Sequence, residues 1–323
     1  MGQAVQTWAV VLAGGDGTRL SALTKTDDGD SIPKQFCSLD GGPQLLEEAL
    51  QRAQRIVPRE RVCAIVARQH ERHWIPVVSS LPRRNVIVEP RNCGTANGVL
   101  HGLLSVLELD PAARTVFLPA DHFVRDEEIL ASSVRAIAER AATDLTTVTL
   151  VGIQPDDVDP ELGYILPGAP LGCDTSRVAR FVEKPDRESA RELILRGAVW
   201  NSFIFAAHGT SLLQLIQRRV PEIVAEMKAA LAQDRGRAGA AVDGLYRRLP
   251  VLDFSRDIVE GAEEALALST APACGWTDLG TVRRVADTLQ RLENAAERRS
   301  RAASAAAVIV DLRTRYQRFR LSA

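Results

Sequence analysis

Three glycines in four residues, Gly14, Gly15 and Gly17 around Asp16, follow directly on the apolar run Trp8-Ala9-Val10-Val11-Leu12-Ala13. Glycine lets a backbone reach φ > 0 and lets its N–H groups approach an anion closely. A strand feeding such a turn is how an α/β sheet receives phosphates at its carboxyl edge. Thr18 and Arg19 come next, and Lys34 stands beyond a polar loop, Ser21 to Pro33, that carries Asp27, Asp28 and Asp30. Two cations framing a loop able to close as a lid suit a triphosphate. The dinucleotide pattern G-x-G-x-x-G is met only in part, since Leu20 stands at the third glycine, and no G-x-x-x-x-G-K-[ST] occurs. Alone, G-x-G describes an ordinary tight turn equally well; Arg19 and Pro33-Lys34 shift it toward a phosphate site.

Further chemistry falls at expected strand ends. Glu89 closes one short apolar run, and Asn92, Gly94 and Thr95 lead from it into a helix, with Thr95 the expected N-cap. Free N–H groups there suit a base or ribose, and a plain capped turn accounts for the same residues. Asp121, in Leu118-Pro119-Ala120-Asp121-His122, ends a buried strand. Its carboxylate is a hard oxygen ligand suited to Mg²⁺ shared with phosphates, or else the cap of the next turn. Glu183-Lys184 pairs an acceptor for hydroxyls with a cation for a phosphate, and Asn201 ends a neighbouring run. Successive residues leave a strand on opposite faces, so both serve one pocket only where the backbone turns. Taken alone, the pair reads as a solvated surface pair.

The elements that must position these residues alternate. Apolar runs at 8–13, 61–67, 85–89, 115–119 and 146–153 are separated by helical patterns at 43–56, 69–80, 95–107 and 127–142. That alternation predicts α/β class, a Rossmann-like, mainly parallel mixed sheet with helices on both faces. From Asp156 the texture changes. Strands are expected from Leu162, over 177–185 and over 199–205, then helices over 211–219, 221–233, 242–248 and 282–292. The reading divides 1–290 into a nucleotide half (8–155) and a sugar-phosphate half (156–290), with a helical or irregular tail, 291–323, that ends in a short strand at 307–310.

Composition sets the bounds. The chain has 323 residues, 46% hydrophobic and 25% charged, with a net charge of −1. Neither nucleic acid nor a membrane surface is expected as a partner. No apolar run reaches the ~18 residues of a membrane span. The five cysteines are scattered, without a C-x-x-C pair, so neither a zinc site nor a disulfide framework is expected. A cytoplasmic location is the simplest expectation, and a homodimer is left open.

Leu12-Ala13-Gly14-Gly15-x-Gly17-Thr18-Arg19-Leu20 with Pro33-Lys34-Gln35-Phe36 resembles the signature of the sugar-nucleotide pyrophosphorylases, most nearly the mannose-1-phosphate guanylyltransferases. Further segments agree: Glu89-Pro90-Arg91-Asn92, lengthened by Cys93-Gly94 before Thr95; Pro119-Ala120-Asp121-His122; Gly163-Tyr164-Ile165; Phe181-Val182-Glu183-Lys184-Pro185; Trp200-Asn201-Ser202, with Phe203 in place of the usual glycine; and Trp276-x-Asp278-x-Gly280. The resemblance covers roughly 8–290. It implies a glycosyltransferase-A-like nucleotidyltransferase fold and transfer of GMP from GTP to mannose 1-phosphate, giving GDP-mannose and pyrophosphate. It also implies Mg²⁺ on Asp121 and Asp278, and catalytic cations at Arg19, Lys34 and Lys184. The nucleotide would lie along Leu12, Ala13, Gly14, Gly15, Gly17, Thr18, Glu89, Asn92 and Thr95. The sugar phosphate would lie on Gly163, Glu183, Lys184 and Asn201. No phosphomannose isomerase activity is expected, because the chain ends before that module. Uridylyl or thymidylyl transfer to another hexose 1-phosphate, and a non-catalytic nucleotide-sugar binder, remain competing readings; Leu20 disfavours a dinucleotide oxidoreductase.

Overall fold

The computed structural model describes residues 6–17, 23–24, 31–39, 41–172, 174–234 and 239–294. Thr18, Arg19, most of the expected lid, and the tail from residue 295 on, with its expected strand at 307–310, lie outside the described residues. One nine-stranded sheet organises the molecule, in the order β3-β2-β1-β4-β8-β5-β9-β7-β6. Its strands are β1 Thr7–Ala13, β2 Val62–Ala67, β3 Val86–Glu89, β4 Arg114–Pro119, β5 Val148–Ile153, β6 Tyr164–Gly172, β7 Thr175–Val182, β8 Val199–His208 and β9 Leu266–Thr270. β3, β2, β1 and β4 run parallel. β8 then enters antiparallel between β4 and β5, and β9 pairs parallel with β5. The result is a mixed sheet in which the first four strands form one continuous parallel block and β5 with β9 a second parallel pair.

Alternation of side chains along β1 sends Val10 to one core and Ala9 and Val11 to the other. The first core takes Leu100 and Leu103 of α3 (Thr95–Leu109), Leu212 of α6 (Gly209–Arg219), Met227 of α7 (Pro221–Asp234) and Leu245 of α8 (Ala240–Tyr246). The second takes Leu46 and Leu50 of α1 (Leu45–Gln54), Trp74 of α2 (Glu71–Val78), Leu130 of α4 (Glu127–Arg140) and Leu193 of α5 (Arg187–Leu195). Helices therefore cover both faces, as the run lengths require. Residues 282–294 form a last helix, α9.

Two expectations need correction. β9, buried in the middle of the sheet, was not among the expected strands. Thr95 is not an N-cap: Gly94 holds that position at φ 88, and the Thr95 hydroxyl instead accepts from the Phe254 N–H at 2.7 Å. That contact ties the start of α3 to a π-helical turn, Phe254–Val259.

The packing of α1 on α4 rests partly on charge. The Arg52 side chain is 1% exposed and grips Glu127 with Nε at 2.9 Å and Nη2 at 2.7 Å. Removing one partner of such a buried pair strands the other. We expect Arg52→Ala to lower unfolding free energy by about 3 kcal/mol, read by denaturant titration. The double variant Arg52→Met with Glu127→Leu should recover most of that loss.

Candidate active site

β1 lies between β2 and β4 although the chain goes to β2 next, so the sheet's topological switch point falls between β1 and β4. Ligands in open α/β sheets bind outside the carboxyl ends of strands at such a point. Here those ends are Leu12, paired with Pro119, and the residues that follow each. A cleft of about 360 Å³ opens at this edge. Leu12, Ala13, Gly14, Gly15, Gly17, Glu89, Asn92, Thr95, Asp121, Gly163, Glu183, Lys184, Asn201 and Asp278 all line it. Of the remaining sequence candidates, Lys34 lies behind the wall, while Thr18 and Arg19 fall outside the described residues.

The glycine turn is held from behind by polar side chains. Gln35, 3% exposed, donates through Nε2 to the carbonyls of Ala13 at 3.1 Å and Gly15 at 2.6 Å. Asp16 accepts from Gln69 Nε2 at 3.0 Å and Asn92 Nδ2 at 3.0 Å, and lies 3.2 Å from His70 Nε2. Asn92 thus braces the turn, and its Oδ1 accepts from the Gly94 N–H at 2.9 Å.

Glu89 is a buried acid at the cleft floor. A Cβ on Gly14 would lie 2.3 Å from its Oε2, so the missing side chain makes the room the carboxylate occupies. Tyr246 Oη donates to Glu89 Oε1 at 3.0 Å, and His101 Nδ1 lies 3.0 Å from the same Oη. With the one hydroxyl hydrogen directed at Glu89, His101 must be the tautomer carrying hydrogen on Nδ1. Burial pushes His101 down to about 4, so the ring is neutral. Burial pushes Glu89 up to about 7, against the lowering effect of the Tyr246 hydrogen bond.

At the far end of the cleft, Glu183 and Lys184 both face the same space. The turn this demands is present: Lys184 has φ 49, in the left-handed region. Gly163 stands where a Cβ would come within 2.6 Å of Glu183 Oε2. Burial pushes Glu183 up to about 7, with Asp253 adding to it and Lys184 opposing. The Asn201 N–H donates to the Gly163 carbonyl at 2.8 Å, and Asn201 Nδ2 donates to Ser255 Oγ at 3.3 Å. Phe203, also left-handed at φ 58, packs its ring on Phe205 and Phe254 and closes the pocket floor.

Asp121 and Asp278 are far apart in sequence and are brought together by backbone. The Phe123 N–H donates to the Thr277 carbonyl at 3.0 Å, and the Thr277 N–H donates back at 2.9 Å. Lys34 Nζ lies 2.9 Å from Asp121 Oδ2 and donates to the Asp278 carbonyl at 2.6 Å. Arg284 Nη1 pairs with Asp278 Oδ1 at 3.1 Å. A Cβ on Gly280 would come within 2.2 Å of Asp278 Oδ2, which explains the glycine two residues on. Among the described residues no cluster of three His, Cys, Asp or Glu side chains offers a complete metal cage. Two carboxylates fit Mg²⁺, which is commonly held by one or two carboxylates together with substrate phosphates and water.

Missed from the sequence were Gln35 as the brace of the turn, Tyr246 and His101 behind Glu89, and Arg284 behind Asp278. Gln35 lay inside a quoted motif and its amide pair was the available signal. The other three carry no local signal.

The nucleotidyl transferase family profile matches residues 8–295. Mannose-1-phosphate guanylyltransferase of Salmonella muenchen is 33% identical over 285 residues, 84% of this chain and 57% of that protein. Mannose-1-phosphate guanylyltransferase RfbM of Salmonella typhimurium is 28% identical over 288 residues, 84% of this chain and 56% of that protein. The chain thus spans little more than half the length of these curated relatives. A crystal structure of mannose-1-phosphate geranyltransferase from Thermus thermophilus superposes with a TM-score of 0.76 at 31% identity, covering 87% of this chain and 79% of that one. No helix among the described residues is long and apolar enough to cross a membrane. A sheet-switch cleft of this make-up, together with a family match over nearly all of the described residues, leads to one conclusion: the chain belongs to the nucleotidyl transferase family.

Proposed function

We propose that the protein transfers GMP from GTP to mannose 1-phosphate, forming GDP-mannose and releasing pyrophosphate. What carries the reading is that one cleft holds the glycine turn and the acidic pair at one end and Glu183, Lys184 and Asn201 at the other. Two phosphorylated molecules placed there meet at the middle. A sugar-phosphate oxygen attacks the α-phosphorus in line, and the bond to the bridging oxygen of the pyrophosphate breaks. Such a reaction asks the protein mainly for positioning and charge neutralisation. Lys184 holds the attacking phosphate, Glu183 and Asn201 take the sugar hydroxyls, and Arg19 steadies the pyrophosphate, while Lys34, expected from the sequence to join Arg19, is engaged behind the wall with Asp121 and the Asp278 carbonyl. Asp121 and Asp278 would hold Mg²⁺, which when bound offsets negative charge across the phosphates. In this reading the first half of the chain binds nucleotide and the second half the sugar phosphate. The free thiols among the described cysteines suit a cytoplasmic setting.

Glu89 favours guanine. An ionised carboxylate only accepts hydrogen bonds, and guanine alone among the common bases offers adjacent N1–H and N2–H donors on one edge. The deciding experiment is pyrophosphate release across nucleoside triphosphates and sugar 1-phosphates. Release with GTP and mannose 1-phosphate is expected. Release only with UTP or dTTP and glucose 1-phosphate moves the assignment to another pyrophosphorylase, and binding of GDP-mannose without turnover makes the protein a binder.

Lys184→Ala should lower turnover by ~10²-fold or more, with the KM for the sugar phosphate rising and that for GTP little changed. Glu89→Gln sets a donor against the donors of guanine. Its kcat/KM with GTP should fall roughly 10²-fold while UTP becomes relatively better. Wild-type KM for GTP, compared with UTP to cancel phosphate titration, should rise as pH drops below about 7, where Glu89 gains its proton. Stability runs the other way. Folded Glu89 keeps a proton that the unfolded chain releases in the ordinary carboxylate range, so stability declines as pH climbs toward about 7. Glu89→Gln should therefore raise stability at pH 8 by up to about 3 kcal/mol, with most of the gain gone near pH 5, as read by thermal melts at both values.

A further inference from the structure

Arg284 sits on α9 just beyond the cleft wall, and the candidate motifs do not include it. Its guanidinium makes three contacts at once. Nη1 meets Asp278 Oδ1 at 3.1 Å, Nη2 meets Asp159 Oδ2 at 3.0 Å, and the planar group lies 4.6 Å over the Trp200 ring. All three partners adjoin the cleft from different directions. Asp278 belongs to the acidic pair, Asp159 opens the loop that supplies Glu161, Leu162 and Gly163 to the wall, and Trp200 precedes Asn201 on β8. The side chains of Arg284, Asp159 and Asp278 are 15%, 13% and 6% exposed, so these charges are screened little by water.

We infer that Arg284 is the positioning residue of Asp278: it fixes one carboxylate oxygen so that the other is presented to a cation shared with the nucleotide, and it locks that carboxylate to the sugar-side loop. The inference rests on the reading of Asp278 as a metal carboxylate. The contact set explains why the residue is arginine. A planar fork can give separate N–H groups to two aspartates while stacking its face on an indole, which an ammonium cannot do. Trp200 in turn packs on Trp276 at 6.4 Å, and Trp276 meets the His122 ring edge-on at 5.1 Å. The row that seats Arg284 thus ends beside Asp121. Lys34 and Arg284 against Asp121, Asp159 and Asp278 leave one net negative charge, a setting that attracts a divalent cation and repels a bare triphosphate.

The test compares Arg284→Lys, Arg284→Met and Asp159→Asn with Arg283→Ala, whose arginine is exposed and pairs only at 3.6 and 3.8 Å with Asp157 and Asp287. Two quantities are read on each protein: the affinity of the protein for Mn²⁺–GTP, by the change in the Mn²⁺ paramagnetic resonance signal beyond that caused by GTP alone, and the Mg²⁺ concentration at half-maximal pyrophosphate release. Removing a group that orients a metal ligand typically weakens metal binding 10- to 100-fold. Arg284→Lys and Arg284→Met should shift both readings by at least about 10-fold, Asp159→Asn by less, and Arg283→Ala should shift neither. If Arg284→Met fails to fold, the lysine and Asp159 variants carry the comparison. Folded Arg284→Lys and Asp159→Asn proteins with wild-type Mn²⁺ affinity would overturn the inference. A wild-type protein that binds Mn²⁺ with GTP yet forms no GDP-mannose removes the proposed function and leaves the Arg284 comparison standing. Absence of any Mn²⁺ binding with nucleotide overturns both.

Discussion

A pair of backbone hydrogen bonds between Phe123 and Thr277 joins two loops more than 150 residues apart in the chain. The placement of Asp121 beside Asp278 in the cleft depends on it. Asp121 leaves the end of β4 and Asp278 arrives after β9, and neither has a helix or strand of its own to aim it. Cations stand beside both acids: Lys34 bridges from Asp121 to the Asp278 carbonyl, and Arg284 takes the Asp278 carboxylate. Both cations are nearly buried, so their attraction acts at low effective dielectric. The bridge sets the positions, and the cations make them tolerable.

The cleft also concentrates features that lower stability. Four non-glycine residues among those described hold left-handed φ, and three of them, Lys184, Phe203 and Leu279, line the cleft or adjoin one of its aspartates. Each such position costs on the order of 1 kcal/mol or more, and such strain gathers where function over-determines the backbone. Two acids, Glu89 buried and Glu183 half-buried, are held up to about 7, chiefly by desolvation. Glu89, Glu183 and Asp278 each lie where a glycine omits its Cβ, at Gly14, Gly163 and Gly280. A sequence selected for stability alone would fill those three gaps and neutralise those acids. Their persistence together in one cleft is the physical sign that the cleft is used.

What the sequence made legible was local. The glycine turn after an apolar run, the acids at strand ends and the alternation of β1 to β5 with helices are patterns within a few residues, and the structure places them where a parallel sheet requires. Glu183-Lys184 was readable as a shared site only on the condition of a backbone turn, and Lys184 provides it at φ 49. What escaped notice depends on neighbours distant in sequence. β9 reads Leu266-Ala267-Leu268-Ser269-Thr270, too short for periodicity to separate strand from helix, and its identity comes from slots beside β5 and β7. The Thr95 hydroxyl was expected to cap its own helix, but the Phe254 N–H competes for it. Tyr246 and Arg284 stand on otherwise ordinary helices, and only the packed fold shows that each meets a cleft carboxylate.

The order of the sheet carries one further consequence. β8 leaves the second half of the chain and inserts between β4 and β5 of the first, so Asn201 and Phe203 ride on a strand hydrogen-bonded to β4, whose end carries Asp121. The two ends of the cleft therefore share backbone as well as space. A displacement of β8 would be transmitted through its ladder to the Asp121 turn, and through Trp200 and Arg284 to Asp278. Both routes converge on the acidic pair, one through main-chain hydrogen bonds and one through a stacked guanidinium. The backbone of either end of the cleft is thus built on the support of the other.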